Sequence, residues 1–349
     1  MYLLRHLTAL NELTVTDMRR GFILVLVLLF AGGCGEKSEI RELSLAHFLS
    51  AGHVLNDGMF TPLSQQLEKL SGGKLTVRQY PAGALNSSAP AQYSILLSGV
   101  SDIALIIPAY TADLFPKTDL ISFPGVCKTA IECTEALQRA RSILEAEYEA
   151  KVLGLWSNDA PMLLTRDKPV RTPEDMHGLK IRVSTRSAIP YIEALGASAI
   201  MQSATVLHQS LTTGVIDGVA VSPSGIESFQ LHEPANFLTT WLPLSGLPFA
   251  LLMNRGVYEA LSPEEQGWID QVADLSFSTA GADAFARSGA NGLRMAKEAG
   301  VHIIDLSESE KRRFNEAIAP IRDARLSQEL GNTTVAELLR LFRGAQQAD

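Results

Sequence analysis

KLTVRQYPAGALNSSAPAQYSILLSGVSDIALII, residues 74–107, sets the fold class. Lys74–Tyr80 alternates Leu75 and Val77 with polar neighbours, as a strand with one buried face does. A Pro-Ala-Gly turn at Pro81–Gly83 closes it. Ala91–Ser98 reads as a helix ended by Gly99. Asp102–Ile107 is short and almost wholly apolar, the pattern of a parallel strand buried on both faces. Upstream, Glu42–Leu49 reads as a strand. Leu55–Leu70 reads as a helix with Leu55, Met59, Phe60, Leu63, Leu67 and Leu70 at helical spacing. A β-α-β-α-β order with right-handed crossovers defines an α/β lobe.

The pattern repeats downstream. Glu132–Ala150 predicts a long helix, Lys151–Trp156 and Met162–Thr165 strands, and Gly178–Val183 another strand. Ala188–Leu195 and Val206–Thr212 predict helices, with strands at Ala199–Met201 and Ile216–Val221. The apolar run Phe249–Asn254 returns as a strand. Ser262-Pro263-Glu264-Glu265 carries the N-cap, proline and acidic first turn of a helix start. Nothing forces a stop before Glu298, and a helix of ~35 residues would run ~50 Å, enough to lie across two lobes. Residues 307–347 read as helical and charged. The expected organisation is a lobe I of 43–160, to which 246–285 return, and a lobe II of 161–245. The C-terminal helices, 286–349, are expected to pack across. A chain of 349 residues exceeds what one core usually fills, which agrees with two lobes.

Composition excludes whole classes of function. With 46% hydrophobic and 19% charged residues the chain is not disordered. A net charge of −8 without a long basic cluster argues against nucleic acid as a partner. There is no G-x-S-x-G, H-E-x-x-H, Walker A or G-x-G-x-x-G motif. His232-Glu233 comes nearest to a zinc motif, but Pro234 breaks the helix it would need. No metal, cofactor or catalytic residue is expected.

The N-terminus reads as an address. Phe22–Ala31 (FILVLVLLFA) follows Arg19-Arg20 and precedes Gly32-Gly33-Cys34. Ten apolar residues are too few to span ~30 Å of hydrocarbon but suit a signal-peptide core. The alternative is a buried N-terminal strand or helix. Small residues directly before Cys34 resemble a bacterial lipobox, which implies cleavage after residue 33 and a diacylglycerol on the Cys34 sulfur. Residues 34–42 would then link anchor to fold, and Met18 is a better start than Met1. With Cys34 assigned, Cys127 and Cys133 remain. In an exported chain an even count favours a disulfide, although six-residue spacing leaves two free thiols open.

LAHFLxxxH (Leu45–His53) and SGGKLTVxxYPAG (Ser71–Gly83) resemble the opening of the DctP-type solute-binding receptors of tripartite ATP-independent periplasmic (TRAP) transporters. SGVxDI (Ser98–Ile103), PxYTxxxFP (Pro108–Pro116), TPEDMHGLKIRV (Thr172–Val183), TGVIDG (Thr213–Gly218) and LPFALLMNR (Leu247–Arg255) continue it in order. The resemblance covers roughly residues 43–345. It implies a two-lobed Venus-flytrap fold of the periplasmic-binding-protein kind, with a long helix spanning both lobes. It also implies a periplasmic receptor, lipid-anchored if Cys34 is read correctly, that carries a carboxylate ligand in its cleft to a TRAP permease. Rival readings are a receptor for an ABC importer or sensor kinase, and an enzyme using the same cleft.

Arg182 matches the arginine that in this family forms a salt bridge with the ligand carboxylate, and a planar guanidinium suits that partner. Lys180 shares its strand face and reads as a solvated lysine. Val221 stands where some members carry a ligand-binding asparagine, and Met162 where some carry a second arginine. These exchanges point to a ligand with one carboxylate and an apolar body. Further wall candidates follow strand ends, where clefts of open α/β sheets form: Tyr110, Trp156, Asn158, Ser222, and His53 in the first strand-to-helix loop.

Overall fold

The computed structural model describes residues 40–344; the leader and Cys34 lie outside the described residues. Two sheets organise the chain. The first contains β1 (Arg41–Ala46), β2 (Leu75–Tyr80), β3 (Ile103–Ile106), β4 (Lys151–Ser157) and β10 (Pro248–Met253) in the order β2-β1-β3-β10-β4. β1 and β3 run parallel, while β10 lies antiparallel between β3 and β4. The second contains β5 (Met162–Thr165), β6 (Lys180–Val183), β7 (Ser198–Met201), β8 (Gly218–Val221), β9 (Phe237–Thr239) and β11 (His302–Ile304) in the order β11-β9-β5-β8-β6-β7. β6 is flanked by parallel β7 and β8.

The strands formed where apolar runs are flanked by turn residues, and each sheet is buried under its own side chains. Leu45, Ile103, Leu105 and Leu251 are fully buried in the first, Leu163, Ile181 and Val219 in the second. Helix starts follow local capping chemistry: Thr129, Ser262 and Thr334 each accept from the third backbone N–H of the helix they open, and a glutamate there bonds back. Gly72 ends the helix Thr61–Ser71 in the left-handed conformation, φ 61°.

Two expected helices are shorter than read. Glu132–Ala150 becomes Ala130–Arg139 and Arg141–Glu145, interrupted at Ala140. The helix from Ser262 breaks at Ala273, and Asp274 caps a new helix, Leu275–Glu298, by accepting from Phe277 N–H. An N-cap inside a helix-permissive run reverses the expectation because its oxygen satisfies a donor that continued helix would have satisfied. Within 307–347 the helices Glu308–Leu326 and Val335–Arg343 are separated by a small hairpin of Glu329–Leu330 and Thr333–Thr334.

The Leu275–Glu298 helix touches both sheets' layers. At Gly281 its backbone lies on the Trp156 indole, where a Cβ would come within 2.7 Å. One end further, at Gly292, a Cβ would stand 2.4 Å from the Pro223 carbonyl of the helix Pro223–Ser228. The chain also passes between the sheets at 158–161 and at 240–247.

Candidate functional site

The carboxyl ends of β1, β3 and β4 on one side, and of β6 and β8 on the other, frame a cavity of about 830 Å³ including its opening to solvent. Arg182 is its deepest charge. It lies on β6, between two parallel neighbours, and is only 2% exposed. Its Nε and Nη2 donate to the Gln202 carbonyl at 2.9 and 2.8 Å, and Nη1 donates to Ser184 Oγ at 2.9 Å. Burial holds the guanidinium below its usual value, and the Tyr110 hydroxyl works against that shift. Arginine nevertheless stays protonated in proteins. Among the described residues no acidic side chain pairs with it. A cation in this position is fixed by neutral acceptors and lacks a counter-charge, which makes an entering anion its natural partner.

Tyr110, in the turn after β3, lines the same cavity, and its hydroxyl accepts from Ala204 N–H at 3.3 Å across the opening. Asn158 ends β4. Its Oδ1 accepts from Leu247 N–H at 2.8 Å and its Nδ2 donates to Ser222 Oγ at 3.0 Å, so both ends of the amide are engaged by protein. Val221, Ser222 and His53 also line the cavity. Six of the eight expected wall residues therefore converge.

Trp156 and Met162 do not. Trp156 is fully buried in the first core, stacked on Phe249 at 6.0 Å and edge-on to Phe277 at 6.3 Å, because Gly281 lets the long helix close over the indole. Its contribution is to back Phe249, which does line the cavity. Met162 pairs with Val221 across β5 and β8 and packs, half-buried, against the second sheet's core. Lys180 is exposed at the far end of β6, where its backbone N–H donates to Asp217 at 2.8 Å.

The sequence reading missed Phe48, Phe249 and Phe285, which give the wall an aromatic character, and Asp159. Spacing marks Phe249 and Phe285 as buried but not as cavity-facing. Asp159 receives Ala130 N–H at 3.0 Å, and burial raises its pKa. The Cys127 and Cys133 sulfurs are bonded, and the loop they close docks by Cys127 N–H, with the adjoining Val126 N–H, on Ser245 Oγ, a cavity residue. No group of side chains among the described residues is suited to a metal ion, and no helix there is long and apolar enough to cross a membrane.

A family model, DctP, described as bacterial extracellular solute-binding protein, family 7, matches residues 45–329. The chain belongs to this family. Its members are solute-binding receptors of TRAP transporters rather than enzymes. The C4-dicarboxylate-binding periplasmic protein DctP of Rhodobacter capsulatus is 23% identical over 276 residues, 77% of this chain and 81% of that protein. A marine metagenome TRAP solute-binding protein specific for aromatic acid ligands, solved with metahydroxyphenylacetate, superposes with a TM-score of 0.79 at 25% identity, covering 87% of this chain and 98% of the other. A TRAP solute-binding protein from Rhodoferax ferrireducens, solved with copurified benzoate, gives a TM-score of 0.78 at 26% identity, covering 87% and 96%. The DctP-family chain thus shares the two-lobed architecture of these receptors.

Proposed function

We propose that this chain is a periplasmic receptor for a monocarboxylate with an apolar, ring-bearing body, which it delivers to a TRAP permease. The observation that carries the reading is the buried, acid-free guanidinium of Arg182 at the base of the cavity. Arg182 offers a partner to one ligand carboxylate, and Asp159, the acid among the lining residues, offers none to a second. Phe48, Phe249 and Phe285 offer the remainder of the ligand an apolar surface, and Val221 adds no polar group where a dicarboxylate would need one. The aromatic-acid and benzoate ligands of two structural relatives support the same class.

The assignment extends to the chain's location. The basic, apolar and small-residue succession before Cys34 supports export, cleavage and a lipid on Cys34, and the tether expected over 34–42 is shortened to the residues before Arg41, where β1 begins. Lobe I is assigned to β1 through 160 and to 246–285, and lobe II to 161–245, with the C-terminal helices of 286–349 packing across.

Calorimetry on the purified chain with benzoate, phenylacetate and succinate tests the ligand class. Tight binding of either aromatic monocarboxylate, with succinate weaker, is the expected result. Succinate binding alone overturns the class. Mass spectrometry of membrane-extracted protein tests the anchor, since a Cys34→Ser chain is expected to lose the lipid mass.

A further inference from the structure

The loop between β1 and the first helix holds a side chain in a chemically defined state. His53 Nδ1 accepts from Leu55 N–H at 3.2 Å, so in the neutral ring the proton resides on Nε2. Among the described residues Nε2 has no protein partner. The ring lines the cavity, is 8% exposed and stands edge-on to Phe285 at 6.2 Å. The loop that carries it is stapled. Asn56 Nδ2 donates to the carbonyls of Ser50 and Ala51 at 2.9 and 2.6 Å, and His53 N–H donates to Ser50 O at 3.1 Å. The position of the ring is thus fixed before any ligand arrives.

We infer that His53 is a specificity-determining residue that donates an Nε2–H hydrogen bond to a hydroxyl or keto oxygen on the body of the bound acid, so that the preferred cargo is an oxygenated monocarboxylate. The inference rests on the monocarboxylate reading above and refines it. Arg182 lies on β6 of the second sheet and His53 in the loop after β1 of the first, so the two polar contacts meet the ligand from opposite walls, with Phe285 edge-on to the His53 ring. A buried donor rejects an analogue that lacks the acceptor, because desolvation of the N–H is then uncompensated. Burial, with the neighbouring His47 adding to it, lowers the His53 pKa to about 4. The ring therefore stays a neutral donor throughout the working range and adds no second charge for a second carboxylate.

The test uses two matched pairs, 3-hydroxybenzoate against benzoate and mandelate against phenylacetate, measured by calorimetry on the full chain. In each pair only a hydroxyl differs. The expected result is a preference of about tenfold or more for the hydroxylated member of at least one pair. His53→Asn retains an oxygen that accepts from the N–H two residues on, as an Asx turn does, but its shorter side chain removes the donor from the cavity. In that variant the preference, read as the ratio of the two affinities, is expected to fall to about twofold or less. If His53→Asn melts early, His53→Phe supplies the same comparison with the ring volume kept. Equal affinities in the unmodified chain, or a preference that survives both variants, overturns the inference alone. No binding of any of the four acids overturns it together with the monocarboxylate reading.

Discussion

Asn158 Nδ2 donates to Ser222 Oγ at 3.0 Å, joining the end of a strand in one sheet to the end of a strand in the other. The same amide accepts from Leu247 N–H at 2.8 Å, and Ser157 Oγ donates to the Leu247 carbonyl at 3.0 Å. Two of the segments that pass between the sheets are thereby tied at one residue. Asn158→Ala leaves the Leu247 donor and the Ser222 hydroxyl without these partners. Denaturant unfolding is expected to show a loss of about 2 kcal/mol. Ser222→Ala removes the Oγ bonds to Asn158 and to Ser224 at 3.0 Å each but keeps the Leu247 N–H paired with Asn158, and its loss should be the smaller of the two.

Arg182 separates binding from folding. A methionine keeps much of the volume of the side chain without its charge. For Arg182→Met, affinity for a bound carboxylate is expected to fall by about 3 kcal/mol or more, since the partner would be left unpaired in a buried site. The melting temperature of the ligand-free chain should not fall, because an uncompensated cation has left the interior. Loss of folding with unchanged affinity per folded molecule would assign Arg182 to the scaffold.

Asp119 confers a pH dependence on stability. It is 5% exposed, and burial raises its pKa from 3.8 to about 6, with the Ser187 hydroxyl and Arg325 opposing the shift and Glu147 and Asp113 adding to it. For an acid whose folded value lies above the unfolded one, the stabilising contribution is present below the unfolded value. It is lost as pH rises through the folded value. Asp119→Asn should therefore gain on the unmodified chain between pH 4 and pH 7, by up to about 3 kcal/mol at the upper end. A difference in melting temperature that is flat across this range would contradict the assignment.

Reducing the Cys127–Cys133 bond opens a loop of small size. Chain entropy alone predicts a loss of about 2 kcal/mol on reduction or in the paired Cys→Ser chain. Because Ser245 receives both Val126 N–H and Cys127 N–H, at 3.0 and 3.3 Å, ligand affinity should weaken together with stability. Unchanged affinity in the reduced chain would show that the loop holds its place without the crosslink.

Much of the fold was legible because buried strands and capped helices leave local marks. The strand Met162–Thr165 was read with its observed limits, and β1, β3 and β10 within a few residues. The three-residue strands Phe237–Thr239 and His302–Ile304 were not read, since they are too short to show an alternation. Arg182 was legible through its motif, and Tyr110, Asn158, Ser222 and His53 through their places after strand ends. Trp156 follows the same rule and fails it. What distinguishes it is the glycine at 281 more than a hundred residues away, which no local pattern connects to it. The aromatic wall was invisible for the same reason: Phe249 and Phe285 are spaced like any core residues, and only the assembled tertiary structure turns them toward a cavity.

The placement of Arg182 on one sheet and of Phe48, His53 and Phe249 with the other has a consequence for how cargo is sorted. A molecule as short as acetate can neutralise the guanidinium beside Tyr110 but leaves most of the wall of Phe48, Phe249 and Phe285 uncovered. It would dwell on half a receptor. On the proposed reading, only a molecule long enough to cover that wall as well fills the site, so span acts as an entry criterion alongside charge. On that reading small acids are expected to be turned away by a ruler rather than by a competitor.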